Sequence, residues 1–469
     1  MHNTNSSTFH GKRVTLMGFA RTNVALARYL ARQGADITMT DSKSFEDLAI
    51  GRQQLESLNI RYVLGHHEML DFTQADVVFV SPGVQRTNPF VQAAMNNGIP
   101  VSSEIELFFE LCKSPIAAIT GSAGKTTTTT LVGEMLAASG FPTFVGGNIG
   151  IPLIDRLDEL SEDARVVLEL SSFQLEPMRR SAHVAAVLNI TPNHLDRHPT
   201  FEAYRDAKTN IFKFQRPDDV TVLSLDDPGS AQLISQVVGQ PMLFSVTQPV
   251  IEGACLYRGE LVLTIGLLEG TICRRDEVRL RGLHNVQNIL AASVIAAVRG
   301  ASMEAIRSVA TQFTGVEHRI EPVRVLDGCT WFNDSKATSP TETMAALRSF
   351  TEPIVLMAGG RSKKAPLDEM AADIVTHVRH LVVFGEMAGE IADAVTAQPK
   401  GNSITIDRAH TVKDAVELAR RAARPGDVVL LSPSGTSFDA FDDYEHRGRV
   451  FKDIVLQLQE HGTMRSPAE

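Results

Sequence analysis

The stretch IAAITGSAGKTTTTTLVGEMLAA, residues 116–138, predicts a buried strand, a glycine-rich turn and a helix in immediate succession. Such a turn directs several backbone N–H groups and the positive end of a helix dipole at one point, where a triphosphate can sit. Lys125 is placed to lie on the outer phosphates, and Thr126 or Thr127 to offer a hydroxyl to magnesium. The usual loop pattern would need a glycine at Ile119. The alternative, a glycine-rich turn with a solvated lysine, is disfavoured by the strand before it and the helix after it.

Length and composition limit the classes of protein to which this chain can belong. A chain of 469 residues holds about three domains. The net charge of -10 argues against a nucleic-acid partner, because no basic surplus exists to neutralise a phosphate backbone. The four cysteines lack the spacing of a zinc site or a disulfide framework, which indicates a reducing compartment. With no signal-like start and no run of ~18 apolar residues, we expect a cytoplasmic protein without a membrane partner.

Short apolar strands run into glycine three times, at residues 14–18, 116–121 and 354–360. Their runs of Val, Ile and Leu do not alternate with polar residues, which is typical of parallel strands buried on both faces. Amphipathic stretches such as 24–33 and 412–421 read as crossover helices. We therefore predict an α/β fold of three domains, each a mainly parallel, doubly wound sheet.

The predicted domains are 1–103, 104–315 and 316–469. Within the central one, residues 250–281 contain glycines and alternating apolar residues, which predict a small added antiparallel sheet. In doubly wound sheets, ligands gather beyond the carboxyl ends of the strands. The glycines and polar residues that follow the predicted strands lie there.

Two side chains, Glu169 and His194, are candidates for metal chemistry on local grounds, and Lys208 is not. Glu169 ends a predicted strand, where a second magnesium anchor is needed, although an edge carboxylate is the alternative. His194 lies in a segment dense in metal-capable groups, but a lone histidine is more often structural. Lys208 reads by itself as a solvated helix lysine. Composition and spacing alone therefore support a magnesium–nucleotide site and nothing finer.

Six motifs appear in order along the chain. They are the Gly-x-x-Gly-Lys-Thr-Thr loop at 121–127, ELSSFQL at 169–175, HLDR at 194–197, LHN at 283–285, EHR at 317–319 and NDSKAT at 333–338. Together they resemble the Mur ligases of peptidoglycan synthesis. The SSFQL run and the ending LSPSGTSFD, residues 431–439, are most similar to the glutamate-adding members of that family. The resemblance covers nearly the whole chain.

The resemblance implies Rossmann-like first and last domains, for a UDP sugar and an incoming amino acid, around a central ATPase of the phosphate-loop type. It implies an ATP-dependent amide ligase acting in cytoplasmic peptidoglycan precursor synthesis. ATP phosphorylates the carboxylate of UDP-N-acetylmuramoyl-L-alanine, and the amine of D-glutamate then attacks the acyl phosphate. The implied cofactors are ATP as co-substrate and two magnesium ions. The implied partners are these small-molecule substrates alone, with a monomeric protein.

The resemblance also carries roles for residues at the ATP site. The implied catalytic residues are Lys125, Glu169, His194 and Lys208. The implied metal ligands are Thr126, Glu169, His194 and Lys208, the last as a carbamate, which turns a cation into an anion. The implied ATP-binding residues are Gly121, Ser122, Ala123, Gly124, Lys125, Thr126, Thr127, His284, Asn285, Asn288, Arg319 and Asp334.

Two further sets of residues belong to the other substrates. The residues expected to bind the UDP sugar are Gly18, Arg21, Thr22, Asp41, Ser42, Ser81, Gly83, Asn148, Ser171 and Gln174. The residues expected to bind glutamate are Lys336, Thr338, Lys363, Ser437, Phe438 and Tyr444. A lysine and hydroxyls suit a dicarboxylic amino acid.

The chain departs from the family pattern at several positions. Ser122 and Ala123 stand where the family usually has Thr and Asn, and the loop at Gly18 lacks a second glycine. Lys364 competes with Lys363 for the same role. The alternatives are a ligase of another step, a polyglutamate-adding ligase and a regulatory nucleotide-binding protein without catalysis, the last favoured only by Ser122 and Ala123. A nicotinamide dehydrogenase is the weakest alternative, because Gly18 alone is no fingerprint. The sequence does not distinguish D- from L-glutamate.

Overall fold

The computed structural model describes residues 9–46, 48, 53–192, 197–362 and 365–459. The chain forms two compact units, Met1–Arg279 with Leu283–Phe313, and Leu280–Gly282 with Thr314–Glu469. The first unit contains two sheets and the second contains one. The predicted boundary at residue 103 therefore falls inside the first unit, between its two sheets, and the division into three domains stays a prediction.

The first sheet has five parallel strands in the order β3-β2-β1-β4-β5. The strands are β1 (Arg13–Met17), β2 (Asp36–Asp41), β3 (Ile60–Leu64), β4 (Val77–Val80) and β5 (Val101–Ser102). The helices are α1 (Arg21–Arg32), α2 (Met69–Thr73), α3 (Pro89–Asn96) and α4 (Glu104–Leu111). Because β1 lies between β2 and β4, the segments that follow these three strands meet at one edge of the sheet.

The central sheet has nine strands in the order β14-β13-β12-β11-β10-β9-β6-β8-β7. The strands are β6 (Ile116–Thr120), β7 (Thr143–Gly147), β8 (Arg165–Glu169), β9 (Val184–Val187), β10 (Val220–Ser224), β11 (Gln240–Ser245), β12 (Gly253–Tyr257), β13 (Glu260–Ile265) and β14 (Leu268–Arg274). The α-helices are α5 (Lys125–Ala138), α6 (Ser172–Leu175), α7 (Phe201–Thr209), α8 (Pro228–Ala231), α9 (Leu283–Val298) and α10 (Met303–Gln312), and 3-10 turns span Leu153–Glu159, Ile234–Gln236 and Arg275–Glu277.

The predicted antiparallel strands are present as β12, β13 and β14. They do not form a sheet of their own, because β12 pairs in parallel with β11 and so extends the central sheet. The remaining pairs of this sheet are parallel. Strand β6 lies between β8 and β9, and every residue of β6, β9 and β10 is buried. This burial explains why those strands are apolar without alternation.

The second unit has one six-stranded sheet in the order β15-β16-β20-β17-β18-β19, parallel except for the β15–β16 pair. The strands are β15 (Glu321–Leu326), β16 (Cys329–Asn333), β17 (Ile354–Gly359), β18 (Val378–Phe384), β19 (Thr405–Arg408) and β20 (Val428–Ser434). The helices are α11 (Pro340–Leu347), α12 (Asp368–His377), α13 (Ala388–Thr396), α14 (Val412–Ala422) and α15 (Tyr444–Gln457), with a 3-10 turn at Gly401–Ser403. The predicted α/β class with mainly parallel sheets is confirmed.

Among the described residues, no helix has both the length and the apolar character needed to cross a bilayer.

Backbone crowding at the end of β17 gives a prediction about stability. Gly360 has φ +108°, and a Cβ built on it would overlap the carbonyl oxygen of Thr436, whereas Gly426 has φ +94° with open space around it. Both substitutions to alanine strain the backbone by about 1 kcal/mol, and only Gly360→Ala adds a steric clash. We expect Gly426→Ala to lower the free energy of unfolding by about 1 kcal/mol and Gly360→Ala by about 3 kcal/mol or more.

The chain's single tryptophan, Trp331, is buried in the second unit, so its fluorescence during urea unfolding reports on that unit. An equal loss of unfolding free energy in Gly360→Ala and Gly426→Ala would contradict steric crowding at Gly360.

Candidate active site

The turn after β6 has the shape of an anion-binding loop. Gly124 caps α5 in a left-handed conformation with φ +82°, and a Cβ there would overlap Oδ1 of Asn288. The amine of Lys125 donates to the carbonyl oxygens of Gly121 at 3.0 Å and Ser122 at 3.3 Å. The helix N-terminus and the lysine thus face the same turn, the arrangement that binds phosphate groups.

The two residues that depart from the family pattern are held by the segment after β9. The Ser122 hydroxyl donates to the carbonyl of Thr191 at 2.9 Å, accepts from the Thr191 N–H at 2.9 Å and lies 3.0 Å from the Tyr204 hydroxyl. The N–H of Ala123 donates to Asn189 Oδ1 at 2.8 Å, and Asn189 Nδ2 donates back to the Ala123 carbonyl at 3.1 Å. The loop is therefore anchored without the side chains usual at these positions.

A buried carboxylate lies beside this loop. Glu169 ends β8, the strand next to β6, and its side chain is 2% exposed. One carboxylate oxygen accepts from the Thr126 hydroxyl at 2.8 Å and the other from Asn148 Nδ2 at 2.8 Å. Hydroxyl and carboxylate oxygens are the hard ligands that Mg²⁺ prefers, so these residues fit the implied metal.

Lys208 is 1% exposed, so the default interpretation of a solvated helix lysine is wrong. Its amine donates to Thr120 Oγ1 at 3.2 Å and to the Gly121 carbonyl at 3.0 Å. Burial, reinforced by the nearby Lys125 cation and opposed by Glu169, lowers the pKa of Lys208 to about 6. Its amine is therefore mostly neutral and nucleophilic at neutral pH.

Helix α9 approaches the loop with its first turns. Asn288 Nδ2 donates to Asn285 Oδ1 at 3.1 Å, and the Thr128 hydroxyl donates to Asn288 Oδ1 at 3.4 Å. The structure therefore places Asn288 beside Gly124 of the phosphate loop, with Asn285 bonded to Asn288. His284 is exposed at the start of the same helix.

A cavity of about 510 Å³ opens at the carboxyl edge of the first sheet. Four residues predicted to bind the UDP sugar line it, namely Gly18, Asp41, Ser42 and Gly83. One oxygen of Asp41 accepts from the Phe19 N–H at 2.7 Å, which fixes the carboxylate against the turn after β1. Ser81 is buried behind this turn, and its hydroxyl donates to the Gly18 carbonyl at 3.1 Å.

The other residues predicted for the UDP sugar lie elsewhere in the first unit. Arg21 and Thr22 begin α1 and are not among the described residues that line the cavity, although the buried Thr22 hydroxyl has no partner in the described part of the chain. Ser171 and Gln174 bond to each other in the capping box of α6. Asn148 contacts Glu169.

Sequence reasoning missed Arg197 as a cavity residue. Arg197 follows the central strand β9 along the chain, yet it lines the cavity of the first sheet and donates to the Gly83 carbonyl at 2.8 Å. Its motif was recognised, but nothing in the sequence relates it to Gly83, more than 100 residues earlier.

In the second unit, Asp334 follows β16 and is buried. Its two oxygens accept from the Ser432 hydroxyl at 2.7 Å and the Ile320 N–H at 3.1 Å. Burial raises the pKa of Asp334 to about 7, against the lowering effect of these bonds. Arg319, predicted with Asp334 for ATP, is exposed beside that N–H. A carboxyl that titrates near neutral pH is a common feature of functional sites.

The segments predicted to bind glutamate meet at a buried guanidinium that sequence reasoning also missed. Arg447 donates to Ser335 Oγ at 3.0 Å and to the Gly435 carbonyl at 3.2 Å, and Ser335 Oγ donates to the Tyr444 carbonyl at 2.8 Å. These bonds join the segment with Lys336 and Thr338, the segment with Ser437 and Phe438, and the start of α15. Ser437 is buried and Phe438 is 61% exposed. Burial lowers the pKa of Arg447 to about 10, which leaves it charged at neutral pH.

His194, Lys363 and its competitor Lys364 lie outside the described residues.

Family models match three parts of the chain. They are a Mur ligase MurD-like N-terminal domain at residues 12–103, a Mur ligase middle domain at 119–296 and a Mur ligase glutamate ligase domain at 318–435. Curated relatives are similar over nearly their whole length. The UDP-N-acetylmuramoylalanine–D-glutamate ligase of Symbiobacterium thermophilum is 46% identical over 95% of this chain and 98% of its own, and that of Trichlorobacter lovleyi is 42% identical over 95% and 99%.

Solved structures are similar in fold at low identity. The UDP-N-acetylmuramate–alanine ligase of Thermotoga maritima has a TM-score of 0.57 and 19% identity, with 95% of this chain and 99% of that chain covered. A pseudomurein peptide ligase from Methanothermus fervidus has a TM-score of 0.55 and 18% identity, with 96% and 100% covered. At such low sequence identity, these similarities are evidence for the fold alone.

The buried amine predicts a pH-dependent stability. Because the pKa of Lys208 falls from 10.5 to about 6 on folding, the folded state binds fewer protons than the unfolded state between those values. Unfolding free energy therefore rises with pH in this window by about 1.4 kcal/mol per unit, and below pH 6 the amine is charged in both states. Lys208→Met removes this dependence, so we expect its stability advantage over the unmodified protein to be largest near pH 6 and to shrink towards pH 9.

The measurement is thermal unfolding by calorimetry in CO₂-free buffers, with the exposed Lys213→Met as the control for loss of a lysine. Parallel pH curves for Lys208→Met and the unmodified protein would mean that the amine is charged in the folded state.

Proposed function

The chain belongs to the Mur ligase family, and we infer that it is the ATP-dependent ligase that joins D-glutamate to UDP-N-acetylmuramoyl-L-alanine in peptidoglycan synthesis. The observation that carries this function is similarity over 95% of the chain, at 46% identity, to a relative bearing that name. The product is an amide, formed with release of ADP and phosphate. In this proposal the site at the carboxyl end of β6 supplies the groups that such a reaction needs.

Lys125 and the backbone of the phosphate loop bind the triphosphate in this proposal. At about 4 Å and an effective dielectric near 20, one lysine and one phosphate charge attract by about 4 kcal/mol. Because Lys125 is already fixed on the carbonyls of Gly121 and Ser122, little reorganisation is needed when negative charge develops on the transferring phosphoryl group. Donors fixed in this way favour the transition state over the ground state.

We propose that Thr126 and Glu169 hold one magnesium ion, and that His194 and the Lys208 carbamate hold a second. Bound there, magnesium supplies positive charge that offsets the crowded phosphate and carboxylate oxygens. Asn148 supports this arrangement because its amide fixes the Glu169 oxygen that Thr126 does not contact. The reaction also needs water to be excluded from the site, because water would hydrolyse the acyl phosphate.

Carbamylation of Lys208 is chemically reasonable in this environment. The neutral amine attacks CO₂ through its nitrogen lone pair, and the proton released leaves a carbamate anion at the end of the side chain. A pKa of about 6 keeps most of the amine in the reactive form at neutral pH. The anion then adds two oxygens to a site that already contains a hydroxyl and a carboxylate.

The remaining assignments are also proposals. We assign the UDP sugar to 1–103, ATP to 104–315 and glutamate to 316–469, with Arg319 and Asp334 contributing to ATP binding. We propose a monomer that works in the cytoplasm. The four cysteines support a reducing compartment, because Cys112, Cys255, Cys273 and Cys329 are all free thiols.

The function is tested by omitting one substrate at a time. We expect the purified protein with Mg²⁺ to release phosphate only when ATP, UDP-N-acetylmuramoyl-L-alanine and D-glutamate are all present, because the acyl phosphate needs both its carboxylate and its amine to turn over. Replacing D- with L-glutamate serves as the control for the amino-acid site. Equal release without the UDP sugar, or ATP binding without turnover on any acceptor, would refute the ligase assignment.

A second prediction concerns the carbamate. Lys208→Ala removes the proposed anionic ligand and leaves a cavity of side-chain length, so we expect kcat to fall by about a thousandfold or more. Millimolar formate or acetate should restore part of the activity, because a free carboxylate can occupy the space of the carbamate. Lys213→Ala, which removes an exposed lysine just beyond the same helix, is the control. Its kcat should match that of the unmodified protein, with and without added carboxylate. Full activity of Lys208→Ala without added carboxylate would remove Lys208 from the metal site.

A further inference from the structure

The cavity of the first sheet has a wall that comes from the central part of the chain. Arg197 lines this cavity together with Gly18 and Asp41. Its guanidinium donates to the Gly83 carbonyl at 2.8 Å and to the Pro82 carbonyl at 3.4 Å. The side chain therefore connects the segment after β9 to the segment after β4, across the two sheets of the first unit.

The guanidinium is held in place by stacked rings. The guanidinium carbon of Arg197 lies 5.0 Å from the centroid of the Phe173 ring. On that ring the imidazole of His198 is stacked at 5.4 Å with 9° between the planes, and His198 Nε2 lies 3.0 Å from the Ser172 hydroxyl. A planar cation held between an aromatic ring and two carbonyls loses little freedom when it binds a ligand.

The charge of Arg197 is well placed for an anion. Its hydrogen-bond acceptors in the described part of the chain, the carbonyls of Pro82 and Gly83, are neutral, and they use two of the five N–H groups of a guanidinium. Among the described lining residues, Arg197 is the single arginine or lysine. The carboxylate in the same cavity, Asp41, is already bonded to the N–H groups of Phe19 and Lys43.

We propose that Arg197 is a substrate-binding residue of the sugar-nucleotide site, where its guanidinium pairs with the diphosphate of a nucleoside diphosphate sugar. The inference rests on the proposed function, which supplies the UDP sugar as the ligand. The diphosphate is the strongly anionic part of that ligand, and guanidinium pairs with phosphate oxygens through parallel N–H bonds. The turn after β1, which contains Gly18, faces the same cavity at the start of the twelve-residue helix α1, whose N-terminus also favours an anion.

The test uses Arg197→Met, which keeps an apolar stem over Phe173 and removes the charge, and Arg197→Lys, which keeps the charge and loses the fork. We expect the KM for UDP-N-acetylmuramoyl-L-alanine to rise at least tenfold in Arg197→Met and less in Arg197→Lys. The KM values for ATP and D-glutamate should stay within twofold. The control is Arg180→Met, which removes an exposed arginine of the central part, 3.9 Å from Glu110. It should leave the KM values for all three substrates within twofold.

Direct binding locates the contact. By calorimetry without ATP or magnesium, the Kd for UDP and the Kd for the UDP sugar should weaken by the same factor in Arg197→Met, because both ligands carry the diphosphate. An unchanged Kd for the UDP sugar would overturn the proposal, and so would a loss confined to the UDP sugar, which would place the contact on the sugar. A parallel rise of the KM for ATP with a lower thermal midpoint would also overturn it, because Arg197 would then only hold its segment.

The two proposals fail in different ways. If the unmodified protein does not turn over all three substrates, the ligase assignment fails. If it turns over and Arg197→Met keeps its affinity for UDP and the UDP sugar, only the role of Arg197 fails.

Discussion

One carbonyl oxygen constrains the central site. The Gly121 carbonyl accepts hydrogen bonds from the amines of both Lys125 and Lys208, each at 3.0 Å. Two ammonium groups on one acceptor repel each other, and Lys208, which is almost fully buried, is the amine that loses its charge. A neutral Lys208 amine is the form that the proposed carbamylation requires.

Sheet order explains why these groups meet. Strand β6 lies between β8 and β9, so the residues that end or follow those strands reach the phosphate loop from both sides. Glu169 comes from β8 and contacts Thr126, and Asn189 follows β9 and contacts the backbone of Ala123. Because parallel strands place their carboxyl ends at the same edge, residues far apart in sequence form one polar cluster there. Hydrogen bonds between its members fix the positions of these side chains relative to the loop.

Much of this arrangement was predictable from the sequence, and the misses have one cause. The loop at 121–127 and the carboxylate of Glu169 were predicted because a strand, a turn and a helix are local features. The burial of Lys208 was not predicted, because it depends on how α7 packs on the loop. The contact between Arg197 and Gly83 was not predicted either. The parallel β11–β12 pair, which joins the antiparallel strands to the central sheet, likewise depends on contacts between separate segments. Long-range packing decides such features, and a single sequence does not display it.

The net charge of -10 poses a question for an enzyme whose three substrates are all anions. Charges more than a Debye length apart, about 8 Å at physiological salt, are largely screened, so distant surface carboxylates repel an arriving substrate only weakly. A cation at a desolvated site is screened much less, and its attraction grows as the local dielectric falls. Lys125 and Arg197 are held by hydrogen bonds to carbonyl oxygens, and these neutral acceptors do not cancel a positive charge. A few positioned cations can therefore outweigh the overall negative charge, and the acidic composition reflects the surface of the protein and not the character of its ligands.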